Sequence, residues 1–186
     1  MMMKRILLKL QSIDIRQLIF VFPFIACLHE FEEWNILKWH RTYNTNVPPG
    51  ITDLDLRTIF LLINLLIIIW TVIALIPKNN RKATAYLFSP LMVIGLINAF
   101  EHLIWQIEFG VYAPGIIFGF ILEAPLILFL AYRMLKEKLV TKWYAGLFSL
   151  VVVAGTVKML FQGTEIDPAI VQIMKLSRPI ADFIWK

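Results

Sequence analysis

The sequence predicts an all-α membrane protein: a bundle of five transmembrane helices followed by an amphipathic helix at the C-terminus. Three observations predict it. Hydrophobic residues make up 59% of the 186 and charged residues only 17%, with a mean hydropathy of +0.73, well beyond the balance of a soluble domain. The apolar excess falls into five stretches, each close to the roughly 20 residues that cross a bilayer as a helix. The basic residues gather in alternate connections between those stretches.

Residues 1–15 mix apolar side chains with Lys4, Arg5 and Lys9, and no small-residue cleavage site precedes the next stretch. They read as an interfacial lead-in, not a removed signal peptide. The transmembrane domain covers 16–162, with spans expected over 16–38, 56–76, 84–107, 115–133 and 142–162. Each should be helical, because lipid offers no partner to a free backbone N–H or C=O; Pro23, Pro90 and Pro125 are tolerated as kinks. In the tail, 163–186, Ile170, Ile173 and Met174 share a helical face, while Lys175, Arg178, Pro179 and Asp182 argue against a sixth span. An amphipathic helix lying on the membrane is expected there. Trp34, Trp39, Trp105 and Trp185 at one interface and Tyr86, Tyr132, Trp143 and Tyr144 at the other fit aromatic belts.

With the N-terminus in the cytoplasm, eleven lysines and arginines fall on that side and six on the other, among them Lys38, Arg41 and Arg57. This favours an integral protein of a bacterial-type cell membrane with a cytoplasmic N-terminus and an external C-terminus. The same asymmetry accounts for the net charge of +5, and no basic, aromatic-interleaved module appears, so a nucleic-acid partner is not expected. Cys27 is the single cysteine, which excludes an intrachain disulfide and a thiolate metal cluster.

Within the first span, His29-Glu30-Phe31-Glu32-Glu33 places a histidine and three carboxylates in apolar surroundings. An ionisable group there costs about 2.5 to 3.5 kcal/mol even on insertion scales unless it is paired, protonated or coordinating. Asn98-Ala99-Phe100-Glu101-His102 in the third span echoes this cluster, and each precedes a tryptophan, Trp34 or Trp105. The echo is compatible with a two-hairpin internal repeat. Because the first and third spans run the same way, the clusters should meet at one depth near the external face. At i, i+3 and i+4, His29, Glu32 and Glu33 share one helical patch, and Asn98, Glu101 and His102 share another. Glu123 on the fourth span reaches a similar depth, as do Asn64 and Lys158.

Carboxylates and imidazoles in this number match carboxylate-bridged metal sites in helix bundles. His29, Glu33, Glu101, His102 and Glu123 are the expected ligands of one or two divalent ions, with zinc or iron favoured by the oxygen and nitrogen donors. Glu32 and Glu33 are the expected catalytic carboxylates. Glu30, Asn98 and Lys158 are expected to support the ligands, although a lysine so close to a span end also suits snorkelling. His40, beside Arg41 in the first external connection, reads as a solvated histidine.

The chain resembles the HXXEE-domain membrane proteins, whose motif here reads His29-Glu30-Phe31-Glu32-Glu33. Asn98-Ala99-Phe100-Glu101-His102 and Tyr112-Ala113-Pro114-Gly115 are similar to that family's later Asn-x-x-x-His and Tyr-x-Pro-Gly elements. The similarity covers roughly residues 20–130. It implies His29, Glu32, Glu33, Asn98 and His102 as site residues, while Glu101, Glu123 and Lys158 rest on the physical argument. It implies no particular reaction.

The function expected first is a metal-dependent enzyme within the membrane, hydrolysing or oxidising a lipid or other hydrophobic substrate. A proton or metal-ion transporter using the same residues is the alternative. The third is a structural or immunity-type membrane protein held together by the polar network.

Overall fold

The computed structural model describes residues 12–43, 47–162 and 168–185. Among the described residues it is all-α and contains no strand. Its helices are α1 (Ile15–Glu32), α2 (Ile36–Tyr43), α3 (Asp53–Leu75), α4 (Arg81–Phe109), α5 (Ile116–Lys136), α6 (Lys142–Gln162) and α7 (Pro168–Ile184). The first eight residues of α5, Ile116–Glu123, are π-helical. Most of the lead-in expected over 1–15, and residues 163–167 of the tail, lie outside the described residues.

Among the described residues four helices, α3 to α6, are long and apolar enough to cross a membrane, rather than the five expected. The difference is α1. Arg16, Glu30 and Glu32 put three charges into its 18 residues, and it stops at Glu32 instead of running to residue 38. Arg57 of α3 holds the turn that follows: its guanidinium donates to the Trp34 carbonyl (3.3 Å) and to Asn35 Oδ1 (2.8 Å), and sits 5.2 Å from the Trp34 ring centroid. The chain then restarts as the short α2.

Local chemistry sets the other ends. Thr52 and Asp55 cap α3 reciprocally: Asp55 N–H donates to Thr52 Oγ1 (3.2 Å), and Thr52 N–H donates to Asp55 Oδ2 (2.8 Å). Asn80 Oδ1 accepts from Ala83 N–H (3.0 Å) at the start of α4, and Gly110, at φ 62°, ends it in the left-handed conformation that glycine adopts freely.

α1 and α4 pack side by side with α5 against both. Phe22 meets Phe88 edge-on at 5.1 Å, and Ile19, Met92, Ile127 and Leu130 are buried around them. α6 packs on α4 through Ile97 and Gly155 but leaves Leu147, Leu150, Val153, Leu160 and Phe161 exposed. An apolar helix bare over most of its circumference is matched by lipid, not water. Together with the four long apolar helices, this suggests a membrane protein.

α7 docks across the start of α3. Arg178 donates to Asp55 Oδ1 (3.1 Å) and to the Gly50 carbonyl (2.7 Å), and Trp185 Nε1 donates to Thr58 Oγ1 (2.9 Å). Val171, Met174, Ser177 and Ala181 face inward, while Ile173, Leu176, Ile180 and Phe183 are exposed. The helix is amphipathic as expected, but Ile173 and Met174 part company. Met174 is drawn into the cluster with Leu37 and Trp105 and Ile173 faces away; the Ile170 side chain is outside the described residues.

If α3 crosses the bilayer, its flanking connections lie on opposite sides. Single cysteines replacing Thr42 and Asn79, in a chain with Cys27 replaced, should be labelled by an impermeant reagent from opposite faces of sealed vesicles. Labelling of both from one face would remove α3 as a span.

Candidate metal centre

Three helix segments converge on one buried spot. The last turn of α1 carries His29, and Glu33, four residues on, caps its C-terminal end; α4 supplies His102, and the π-helical start of α5 ends on Glu123. Their relative exposures are 1%, 6%, 1% and 3%, so none is dissolved by water. The matched positions of the internal echo that meet here are Glu33 and His102.

The donor atoms crowd closely. Glu33 Oε1 lies 2.8 Å from His29 Nε2 and 2.6 Å from His102 Nε2, and the two Nε2 atoms are 3.0 Å apart. These are ion-pair contacts, and among the described residues that buried oxygen has no hydrogen-bond partner. Behind the group, His29 Nδ1 lies 2.9 Å from Glu123 Oε2. With its proton on Nδ1, His29 donates to Glu123 and turns the lone pair of Nε2 toward His102 and Glu33. His29, Glu33 and His102 thus form a group with the composition and spacing to hold a metal ion.

Glycines make the space. A Cβ at Gly115 would overlap His102 and Glu33, one at Gly119 would approach the His29 ring to within 2.7 Å, and one at Gly95 would overlap Glu123. Gly115 also needs its freedom for φ 92°. A glycine inside a helix costs about 1 kcal/mol relative to alanine, so Gly95 and Gly119 were signals of close approach available from the sequence.

Glu32 points elsewhere. Its carboxylate accepts the Ile117 (3.1 Å) and Phe118 (2.8 Å) backbone N–H groups and the Tyr112 hydroxyl. An anion at a helix N-terminus satisfies donors that have no partner within the helix. Burial, and then the Glu32 carboxylate, push the Tyr112 phenol up, so it remains a donor. The adjacent glutamates therefore do different things: Glu33 enters the cluster, and Glu32 fixes the segment that brings in Gly119 and Glu123. That segment is π-helical, with Ala124 N–H reaching back five residues to the Gly119 carbonyl.

The other expected site residues fall outside this group. Glu30 is buried on α1, within electrostatic reach of His29, Glu33 and Glu123. Glu101 and Asn98 are half-buried on α4, and the group with metal-ligand spacing does not include them. Lys158 is exposed on the peripheral α6. His40, expected in solvent, is buried, because α2 folds back over the cluster with Trp39 Nε1 donating to the Tyr112 carbonyl (2.9 Å). Burial pushes its imidazole down to about 4, so it is neutral at pH 7. Trp105 stands edge-on between the His40 and His102 rings, with centroids 5.0 and 5.1 Å away.

Removing the Glu32 charge should loosen the start of α5 without emptying the cluster of its own side chains. Glu32→Gln is expected to cost about 1 to 3 kcal/mol, as for a lost charged cap, and Tyr112→Phe less. Thermal unfolding of the two variants checks this. Equal stability of Glu32→Gln and the parent chain would mean that the cap is not what holds the π-helical segment.

No curated protein and no solved structure matches the chain. A family model does match, over residues 20–130, and that family is described as proteins of unknown function with an HXXEE motif. The matched region runs from α1 into α5 and contains all four residues of the cluster. The chain belongs to this HXXEE family.

Proposed function

We propose that this protein is a membrane-embedded metalloenzyme that holds one divalent ion on His29 Nε2, His102 Nε2 and Glu33 Oε1 and acts on a lipid or similarly hydrophobic molecule. The observation carrying this reading is Glu33 Oε1: a buried carboxylate oxygen set between two imidazole nitrogens and hydrogen-bonded to neither. A cation at the convergence of the three would satisfy it and offset the negative charge that burial otherwise penalises. Glu123 then orients His29 from behind instead of binding the ion.

The donor set is two histidines and one carboxylate. Such a set would suit iron(II), which would supply oxidation of the substrate. Zinc in the same residues would instead support hydrolysis. Glu30, buried beside the ligands, is the carboxylate left to move a proton.

The substrate class follows from depth. The site lies between helices whose outer faces are apolar, and α1 itself exposes Phe20, Phe24 and Phe31, at 71%, 68% and 70%. We place α1 in the bilayer as a fifth embedded helix, with the site in the outer leaflet, the N-terminus cytoplasmic and the C-terminus external, as the basic asymmetry favours.

Protein purified without added metal should contain about one ion per chain. Glu33→Gln and His102→Ala should abolish that stoichiometry while the helices remain, and Glu123→Gln should weaken the ion by about 10- to 100-fold. If the cluster is only a packing network, a neutral amide is easier to bury than a carboxylate, and Glu33→Gln would be neutral or stabilising. Metal-free parent protein with a Glu33→Gln variant of equal or higher melting temperature would overturn the proposal. Metal retained without turnover, but with flux across vesicles, would move the protein to the transporters.

A further inference from the structure

At the end of the bundle away from the His/Glu cluster, where α4 begins, α5 ends and α6 begins, a cleft of about 710 Å³ opens between the helices. Lys82, Lys136, Lys138 and Lys142 line it together with apolar side chains such as Leu135 and Val140. We propose that this cleft binds the headgroup of an anionic phospholipid, with the lysines on the phosphate and the apolar wall along the start of the acyl chains.

Charge is the first support. Four lysines share one cleft, and the neighbouring carboxylate Glu137 is engaged by Arg81 and Arg133. Backbone conformation is the second. Lys138 has φ 54°, a left-handed position just past the end of α5 that glycine normally takes. The chain keeps a lysine there against its backbone preference. Position is the third: the cleft adjoins the ends of three candidate spans, and Trp143 stands 91% exposed next to Lys142. Basic pockets between spanning helices, at headgroup level and flanked by an aromatic anchor, suit anionic lipid.

The test is the melting temperature of the full chain in neutral detergent, titrated separately with phosphatidylglycerol, phosphatidylcholine and inorganic phosphate. Phosphatidylglycerol should raise it saturably, the other two should not, and the shift should shrink with salt. Lys82→Gln/Lys142→Gln should weaken half-saturation by roughly fivefold for each lysine removed. Lys138→Gly separates charge from backbone: it should raise the lipid-free melting temperature, because glycine takes φ 54° freely, and still weaken the lipid response. An equal shift from phosphatidylcholine, a full shift from phosphate alone, or an undiminished response in the lysine variants would overturn the proposal.

Discussion

Four buried ionisable side chains from three helix segments, each within 3 Å of at least one other, are the constraint on which the rest of this structure turns. His29, Glu33, His102 and Glu123 are buried where they sit, and two carboxylates in one buried cluster repel unless protons or a cation intervene. The departures from regular helix in this region serve to bring them together. The chain breaks after Glu32 and is clamped by Arg57, α5 opens as a π-helix, and glycines replace side chains at the three points of closest approach. Above them α2 and Trp105 cover the cluster and shield it from bulk solvent, which strengthens each electrostatic contact.

The HXXEE motif divides its labour accordingly. His29 and Glu33, four residues apart, present donor atoms to the cluster, while Glu32 builds the wall opposite by capping the π-helical segment. The Tyr-x-Pro-Gly element completes the same wall. Tyr112 donates to Glu32, and Gly115 leaves room for His102 and Glu33. Two motifs far apart in the chain thus describe one contact between the end of α1 and the start of α5.

Much of this was legible in the sequence because helix periodicity and span direction are strong local signals. Spacing placed His29 and Glu33 on one face, and parallel spans brought His102 to the same depth. What stayed hidden depends on tertiary contact. Spacing alone cannot separate Glu32 from Glu33, since both lie on the His29 side of α1, and only the position of Tyr112 and the α5 N–H groups decides between them. The break at Glu33–Asn35 has no proline or glycine to announce it and is held by Arg57, 22 residues away from Asn35. His40 looked solvated beside Arg41 because nothing local shows that α2 folds inward.

The most direct test of the account is X-ray absorption at the metal edge on protein purified without added metal. The account predicts one ion per chain, bound only by nitrogen and oxygen at about 2.0 to 2.2 Å, with two imidazoles in its scattering pattern. A folded, metal-free protein, or a bound ion lacking imidazole, would contradict it.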